Sequence, residues 1–313
     1  MNIIVIGHIN PDTDSIVSAI ALAQLLNQEG KEAQAFFRGN LNKESQWVLD
    51  NFQARELIEE INEVLESKEV FFVDFNEADQ CPFNPGKIKL VGLIDHHKLR
   101  SNWRTEEPIL FRIEPVGASS TLIAKLFREK NIPLPDNLAK MLLCGIISDT
   151  LNLTSPTTTE EDRSWVGELS EQTNENVGKL ANNLFEAKSD LSSFTPQEIA
   201  KLDYKVFNFS GKKVGLGVIE TVRPDNAKKI EAELKKTISE IKSEEGLDYI
   251  YLGIVDILNN KTELLIASEE AKKLARKAFP EGTISKENLI LEGIVSRKKQ
   301  MVPALERALL VPL

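Results

Sequence analysis

The stretch Asn2-Ile3-Ile4-Val5-Ile6-Gly7-His8-Ile9-Asn10-Pro11-Asp12-Thr13-Asp14-Ser15, running on through Ile16–Gln28 to Gly30, decides the fold. Asn2–Ile6 is a short run of mainly β-branched apolar residues, the composition of a strand. Gly7–Ser15 is a polar turn. Apolar residues then recur at helical spacing from Ile16 to Gln28, and Gly30 stops the helix. The chain therefore opens with a strand–loop–helix unit, and the same alternation continues outward from it. Strands are expected at Ala33–Phe37, Val70–Val73 and Leu90–Ile94, with a helical region from about Lys43 to Leu65 between them. Further helices are expected near Ala118–Lys130, Asp136–Ser148, Thr159–Gln172 and Asn176–Ala187. Such alternation implies an α/β fold, a mostly parallel sheet with flanking helices.

A chain of 313 residues exceeds the usual size of one core, so two domains are expected. Lys188–Pro196 is short and polar and ends in a helix-start signal, which places the boundary there. The division reads as a first domain over residues 1–188, a linker over 189–194 and a smaller mixed α/β domain over 195–313. The second domain holds a hairpin, Lys205–Phe209 and Lys213–Ile219 around Ser210-Gly211-Lys212, and then a long helix over Asp225–Glu244. Strands near Tyr249–Val255 and Glu263–Ala267, a helix at Glu269–Ala278, strand-like Leu289–Val295 and a basic segment at Ser296–Gln300 follow.

A net charge of −10 argues against a protein whose work is gripping nucleic acid, because phosphate-backbone affinity comes from dense Lys and Arg. An anionic substrate must then be met by a local basic cluster or by metal. The two cysteines, Cys81 and Cys144, lack a C-x-x-C context, which disfavours a thiolate site or a disulfide framework. The opening residues lack the basic and long apolar regions of a signal peptide, and no apolar stretch is long enough to span a membrane. A cytoplasmic protein is expected.

His8, Asp12 and Asp14 lie where the first strand gives way to the first helix. That carboxyl end of the strands is where ligands bind in parallel α/β sheets. One imidazole and two carboxylates on a loop restricted by Pro11 suit Mn, Fe, Co or Zn. Asp12 or Asp14 can equally be read as a helix N-cap, with His8 exposed on the loop. The glycine fingerprint of a dinucleotide site is missing. Leu93-Ile94-Asp95-His96-His97 is a second strand running into a polar end. Consecutive side chains there leave on opposite sides, so one histidine can ligate metal while the other faces substrate. Asp95 is placed to accept a hydrogen bond that fixes an imidazole tautomer. The chain has no other histidines, and all three fall at predicted strand ends. Asp74 follows Val70–Val73, and Asp149 follows the apolar run Met141–Ile147. Each could simply end its element, but an aspartate near a helix C-terminus is electrostatically disfavoured unless a cation is close.

The set His8-x-x-x-Asp12-x-Asp14, Asp74, Asp95-His96-His97 and Asp149 resembles the DHH phosphoesterase superfamily. Ser296-Arg297-Lys298-Lys299-Gln300 resembles the basic signature of the manganese-dependent, family II inorganic pyrophosphatases within it, although a charge run of this kind can also be a solvated surface. The resemblance covers both domains and implies an active site in the cleft between them. It implies that His8, Asp12 and Asp74 hold one Mn2+ while Asp14, Asp74, His96 and Asp149 hold the other, with Asp74 as the bridge. Co2+ could substitute, and Mg2+ would accompany the substrate. By the same resemblance His97, with Asp14 and Asp74, is catalytic; His97, Lys205, Arg297 and Lys298 bind the phosphates; and the protein is a homodimer through its first domain. The small residues of Glu114–Thr121 also resemble the family pattern, and could either offer backbone amides to a phosphate or cap a helix. One departure stands out. The family usually carries a histidine directly after the bridging aspartate, and this chain has Phe75.

The implied reaction is hydrolysis of inorganic pyrophosphate to two orthophosphates by a hydroxide that two metals activate, lowering the pKa of a shared water from about 15.7 towards neutrality. An exopolyphosphatase-like relative, or another DHH phosphoesterase acting on a short phosphoanhydride, is the alternative. Nuclease-like relatives carry a histidine-containing, glycine-rich motif in the second domain, and no histidine follows His97 here.

Overall fold

Strand formation in the first half follows the apolar runs. In a computed structural model describing residues 3–62, 68–99 and 103–310, the elements are β1 (Ile3–Ile6), α1 (Thr13–Gln28), β2 (Ala33–Phe37), α2 (Lys43–Asn51), β3 (Ile58–Glu60), β4 (Lys68–Val73), β5 (Ile88–Asp95), β6 (Leu110–Ile113), α3 (Ser119–Glu129), α4 (Asp136–Asp149), α5 (Glu160–Thr173) and α6 (Val177–Lys188). The six strands form one sheet in the order β3-β2-β1-β4-β5-β6, and every pairing is parallel. Val5, Ile6, Val70, Phe72, Val73, Leu93 and Ile94 are fully buried. Near-continuous apolar runs of this kind belong to parallel strands covered on both faces. From β1 the chain steps outward to β2 and β3, then returns to the other side of β1 for β4, β5 and β6. The gap between the carboxyl ends of β1 and β4 is therefore a topological switch point, the place where open α/β sheets bind ligands.

The expected helix from Lys43 to Leu65 is corrected: α2 stops at Asn51, and the chain passes through left-handed Gln53 (φ 50°) and a single 3₁₀ turn to β3. Leu65, like Asn2 of the first expected strand, lies outside the described residues. Helical spacing misled here because β3 is a three-residue edge strand with Glu59 and Glu60 turned to solvent, and edge strands carry charge that guards against mispairing. The other edge strand, β6, escaped the sequence reading for the same reason of shortness.

The chain divides into two compact units, Met1–Ala187 and Lys188–Leu313. The second contains α7 (Pro196–Lys201), β7 (Tyr204–Phe209), β8 (Lys212–Thr221), α8 (Pro224–Lys228), α9 (Glu231–Glu244), β9 (Tyr249–Asp256), β10 (Lys261–Ile266), α10 (Glu269–Ala278), β11 (Thr283–Ser285), β12 (Asn288–Glu292) and α11 (Val302–Leu310). Its sheet runs β11-β12-β10-β9-β8-β7, antiparallel except for the β8–β9 pair. Ser210 (φ 51°) and Gly211 (φ 83°) make the two-residue hairpin turn, which needs left-handed backbone at both positions. Period-2 alternation along β9 divides its side chains between two cores. Ile250, Leu252 and Ile254 face α7 and α9, while Tyr251 and Val255 face α10 and α11. The single helix expected over Asp225–Glu244 is broken into α8 and α9, with Ile230 leaving the helical region (φ −111°, ψ 19°).

Candidate metal centre

The three central strands each end in a residue that can ligate metal. His8 follows β1 by one glycine, Asp74 follows β4 directly, and β5 closes on Asp95 before His96 and His97. Asp12 is the N-cap of α1, its Oδ1 accepting from the Ser15 backbone N–H at 3.0 Å, and Asp14 sits in the first turn. Asp149 is the last residue of α4. The capping and ligating readings of Asp12 are thus compatible, because one oxygen caps the helix and the other faces His8.

Asp74 stands at the centre, 1% exposed. Its Oδ2 is 3.6 Å from His8 Nε2, and its Oδ1 is 3.4 Å from His96 Nε2. His8 Nε2 also lies 3.8 Å from Asp12 Oδ2, and His96 Nε2 lies 3.3 Å from Asp149 Oδ2. Asp74 is common to three groups whose donor atoms lie within 4.8 Å of one another: His8, Asp12 and Asp74; Asp14, Asp74, His96 and Asp149; and Asp74 with His96 and His97.

Electrostatics expose what such a cluster lacks. Burial, then the neighbouring Asp14 and Asp12, hold the Asp74 carboxyl well above its ordinary range. Burial and the charge of Asp12 likewise push Asp149 up to about 7. Burial alone would depress His96, but the adjacent carboxylates of Asp149, Asp74 and Asp14 overcome it and raise the imidazole to about 12. Crowded carboxylates of this kind are relieved by cations. Asp74 Oδ2 and His96 Nε2 are moreover buried with no hydrogen-bond partner among the described residues. Orphaned ligand atoms flanked by carboxylates fit divalent metal.

Nδ1 hydrogen bonds aim the His8 and His96 imidazoles, so that Nε2 is the nitrogen a metal would take in place of its proton. A backbone carbonyl can only accept, so His96 Nδ1 donates to Val116 O (3.1 Å) and leaves Nε2 open, while His8 Nδ1 donates to Ile9 O (3.1 Å) in the same way. His97 differs. It is 55% exposed, and its Nδ1 is held by Asp95 Oδ1 at 2.9 Å. That bond is the main reason its pKa is raised. Asp95 itself is kept ionised despite burial by His97 and Asn76. The tautomer that Asp95 fixes therefore belongs to His97 rather than to His96.

The Glu114–Thr121 run is used differently from either sequence reading. The Ser119 and Ser120 amides, at the start of α3, donate to Asp14 Oδ2 (2.6 Å) and Oδ1 (2.9 Å), and Ser119 Oγ donates to Asp74 Oδ1 (3.0 Å). These partners, and Val116, were missed from sequence; the small-residue run was the only signal pointing to them. Phe75 turns away into the core, fully buried with its ring 4.6 Å from that of Phe72.

In the second unit, Lys205 is exposed on β7, and Lys298 is exposed beside Arg297. The Arg297 guanidinium pairs with Asp203, Nη2 to Oδ1 at 2.7 Å. The basic segment is a π-helical turn, Arg297–Met301, rather than a loose charge run. Gln300 fixes it: Oε1 accepts from the Val295 and Ser296 amides, and Nε2 donates to Gly293 O.

Residues 2–146 match the DHH family, N-terminal domain, and residues 182–308 match the DHHA2 domain. Over 310 residues the chain is 39% identical to the manganese-dependent inorganic pyrophosphatase of Bacillus subtilis (strain 168), with 98% of each chain covered. It is 38% identical to the manganese-dependent inorganic pyrophosphatase of Methanocaldococcus jannaschii, covering 97% of this chain and 98% of the relative. A crystal structure from Methanococcus jannaschii, assigned to the family II inorganic pyrophosphatases, aligns with a TM-score of 0.64 at 37% identity, over 98% of this chain and 99% of that one. With both domains matched in order and this identity sustained from end to end, the chain belongs to the manganese-dependent, family II inorganic pyrophosphatases of the DHH superfamily.

Proposed function

We propose that the protein hydrolyses inorganic pyrophosphate to two orthophosphates. The observation that carries this is the double cluster around buried Asp74, whose Oδ2, with His96 Nε2, has no hydrogen-bond partner among the described residues. His8, Asp12 and Asp74 would hold one Mn2+, and Asp14, Asp74, His96 and Asp149 the other, with Co2+ as a working substitute and Mg2+ arriving with the substrate. Such a pair supplies a water of lowered pKa and positive charge to set against the phosphoryl oxygens.

The chain's own groups do the rest. Asp14 is oriented by two α3 amides, Asp74 by Ser119, and His96 by Val116, so the ligand shell is set before anything binds. His97 is partly exposed and made more basic by Asp95, which suits a cationic contact to an anionic phosphate. Lys205, Arg297 and Lys298 are the phosphate contacts we assign to the second unit. The planar fork of Arg297, already engaged with the carboxylate of Asp203, suits two phosphate oxygens at once.

In this reading residues 1–188 hold the metal chemistry, 189–194 connect and 195–313 bind substrate. We further propose a homodimer through the first unit: β6 is an edge strand with half-exposed Leu110 and Phe111, an unpaired template for a second copy. A reducing, cytoplasmic setting suits the two free cysteines. No helix among the described residues is long and apolar enough to cross a membrane.

The test is phosphate release after chelation and re-addition of single metals, with pyrophosphate and long polyphosphate compared. Mn2+ or Co2+ should restore activity best, on pyrophosphate. Faster release from polyphosphate would instead favour an exopolyphosphatase-like activity.

A further inference from the structure

Asp162 lies outside the metal cluster, fully buried in the first turn of α5, and its carboxylate accepts from neutral groups of Thr159, Gly117 and Thr121. In one respect it is an ordinary capping-box residue. Its Oδ2 accepts from the Thr159 amide and hydroxyl, both at 2.7 Å, while Thr159 Oγ1 accepts from the Asp162 amide. Capping needs only one carboxylate oxygen, at a solvent-facing helix end. Here both oxygens also reach across to the segment ahead of α3: Oδ2 accepts from the Gly117 amide at 2.8 Å, and Oδ1 accepts from Thr121 Oγ1 at 2.6 Å. Gly117 is close-fitted at this point, since an added Cβ would fall 2.8 Å from Asp162 Oδ2 and 2.6 Å from Thr150 Cγ2.

The 116–121 segment, pinned at Gly117 and Thr121, supplies the hydrogen bonds that orient three cluster residues. Val116 O accepts from His96 Nδ1, the Ser119 and Ser120 amides bind Asp14, and Ser119 Oγ binds Asp74. We infer that Asp162 is a positioning residue for the metal centre, its carboxylate clamping the 116–121 segment so that His96, Asp14 and Asp74 converge. The inference rests on the proposed metal reading of that cluster. Direct partners of metal ligands set ligand direction, and their loss costs about 10–100-fold in metal affinity; Asp162 stands one step further out, and its removal frees several of those partners together.

The experiment is equilibrium Mn2+ binding to the full chain after chelation, with melting temperature and far-ultraviolet circular dichroism as fold controls. Wild type should take up Mn2+; if it takes up none, the metal reading of the cluster fails before Asp162 is tested. D162A removes clamp and cap together and should weaken Mn2+ binding about 10–100-fold. D162N keeps an acceptor oxygen for the amides and an amide group to meet the Thr121 hydroxyl, and should restore affinity to within a few-fold of wild type. T159A removes the cap hydroxyl but leaves the clamp, and should lower the melting temperature with Mn2+ affinity within about twofold. A purely structural cap predicts the opposite pattern, with T159A and D162A equivalent in Mn2+ binding. T121V removes only the Oδ1 contact and serves if D162A does not fold; it should weaken binding several-fold. Wild-type affinity in D162A, or in T121V if that variant stands alone, overturns the inference.

Discussion

Asp74 holds its position at a local cost. It is a non-glycine residue in the left-handed region (φ 66°), worth roughly 1–2 kcal/mol of strain, and it is buried against other carboxylates. D74N removes the charge without changing shape. It should raise the melting temperature of chelated protein while lowering Mn2+-dependent phosphate release at least 100-fold; unchanged turnover would remove Asp74 from the centre. Phe75 shows the reverse case, a residue whose family counterpart is usually histidine but whose side chain here belongs to the core with Phe72 and Leu93. F75A should cost about 3–5 kcal/mol in a denaturant melt by leaving a cavity, with Mn2+ affinity within a few-fold. F75H should destabilise as well, since it buries an imidazole in an apolar cluster. A clear gain in Mn2+ affinity from F75H would show that the position does reach the centre.

At the scale of elements, two segments carry the proposals that lie away from the metal ligands. The π-helical turn at Arg297–Met301 is held by Gln300, whose side chain binds three backbone groups, and by the Ser296 hydroxyl, which accepts from the Lys299 amide. Q300A should therefore loosen the presentation of Arg297 and Lys298, raising the KM for pyrophosphate several-fold while leaving Mn2+ affinity unchanged. A wild-type KM would argue against that role for the turn. The strand β6 exposes Leu110 and Phe111 on its edge. The double substitution L110K/F111K should shift the mass seen by light scattering from dimer to monomer. Elements with a long apolar period, such as α1, α4 and β5, were legible in the sequence. Short edge strands were not: three residues of β3 and four of β6 owe their conformation to pairing with β2 and β5, which no local pattern encodes.

For the whole molecule, the cluster couples metal, proton and stability. His96 has a folded pKa raised above 6.5, so its stabilising contribution is complete below pH 6.5 and is lost as pH rises towards the folded value. Asp149, raised from 3.8 to about 7, keeps a proton in the folded state that the unfolded chain has already released, so its contribution also falls as pH rises through that interval. Chelated protein should accordingly melt at lower temperature at pH 8 than at pH 5. Mn2+ should flatten this slope, because the cation takes the place of the proton. At 100 times its dissociation constant, one site adds about 2.7 kcal/mol, a rise of about 5–10 °C for a unit of this size. A chelated protein equally stable at both pH values would speak against a buried carboxylate cluster. The sequence by itself determined the α/β class, the two-part chain and the identity of the ligand-type residues, because apolar periodicity and side-chain chemistry are properties of the covalent chain. Only the tertiary structure decided that Asp12 and Asp14, two residues apart, fall into different groups of converging donor atoms, that Val116 holds His96 while the Ser119 and Ser120 amides hold Asp14, and that Phe75 faces the core. Those outcomes depend on which way each side chain points where three parallel strands end side by side, and strands far apart in sequence meet only once the sheet has formed.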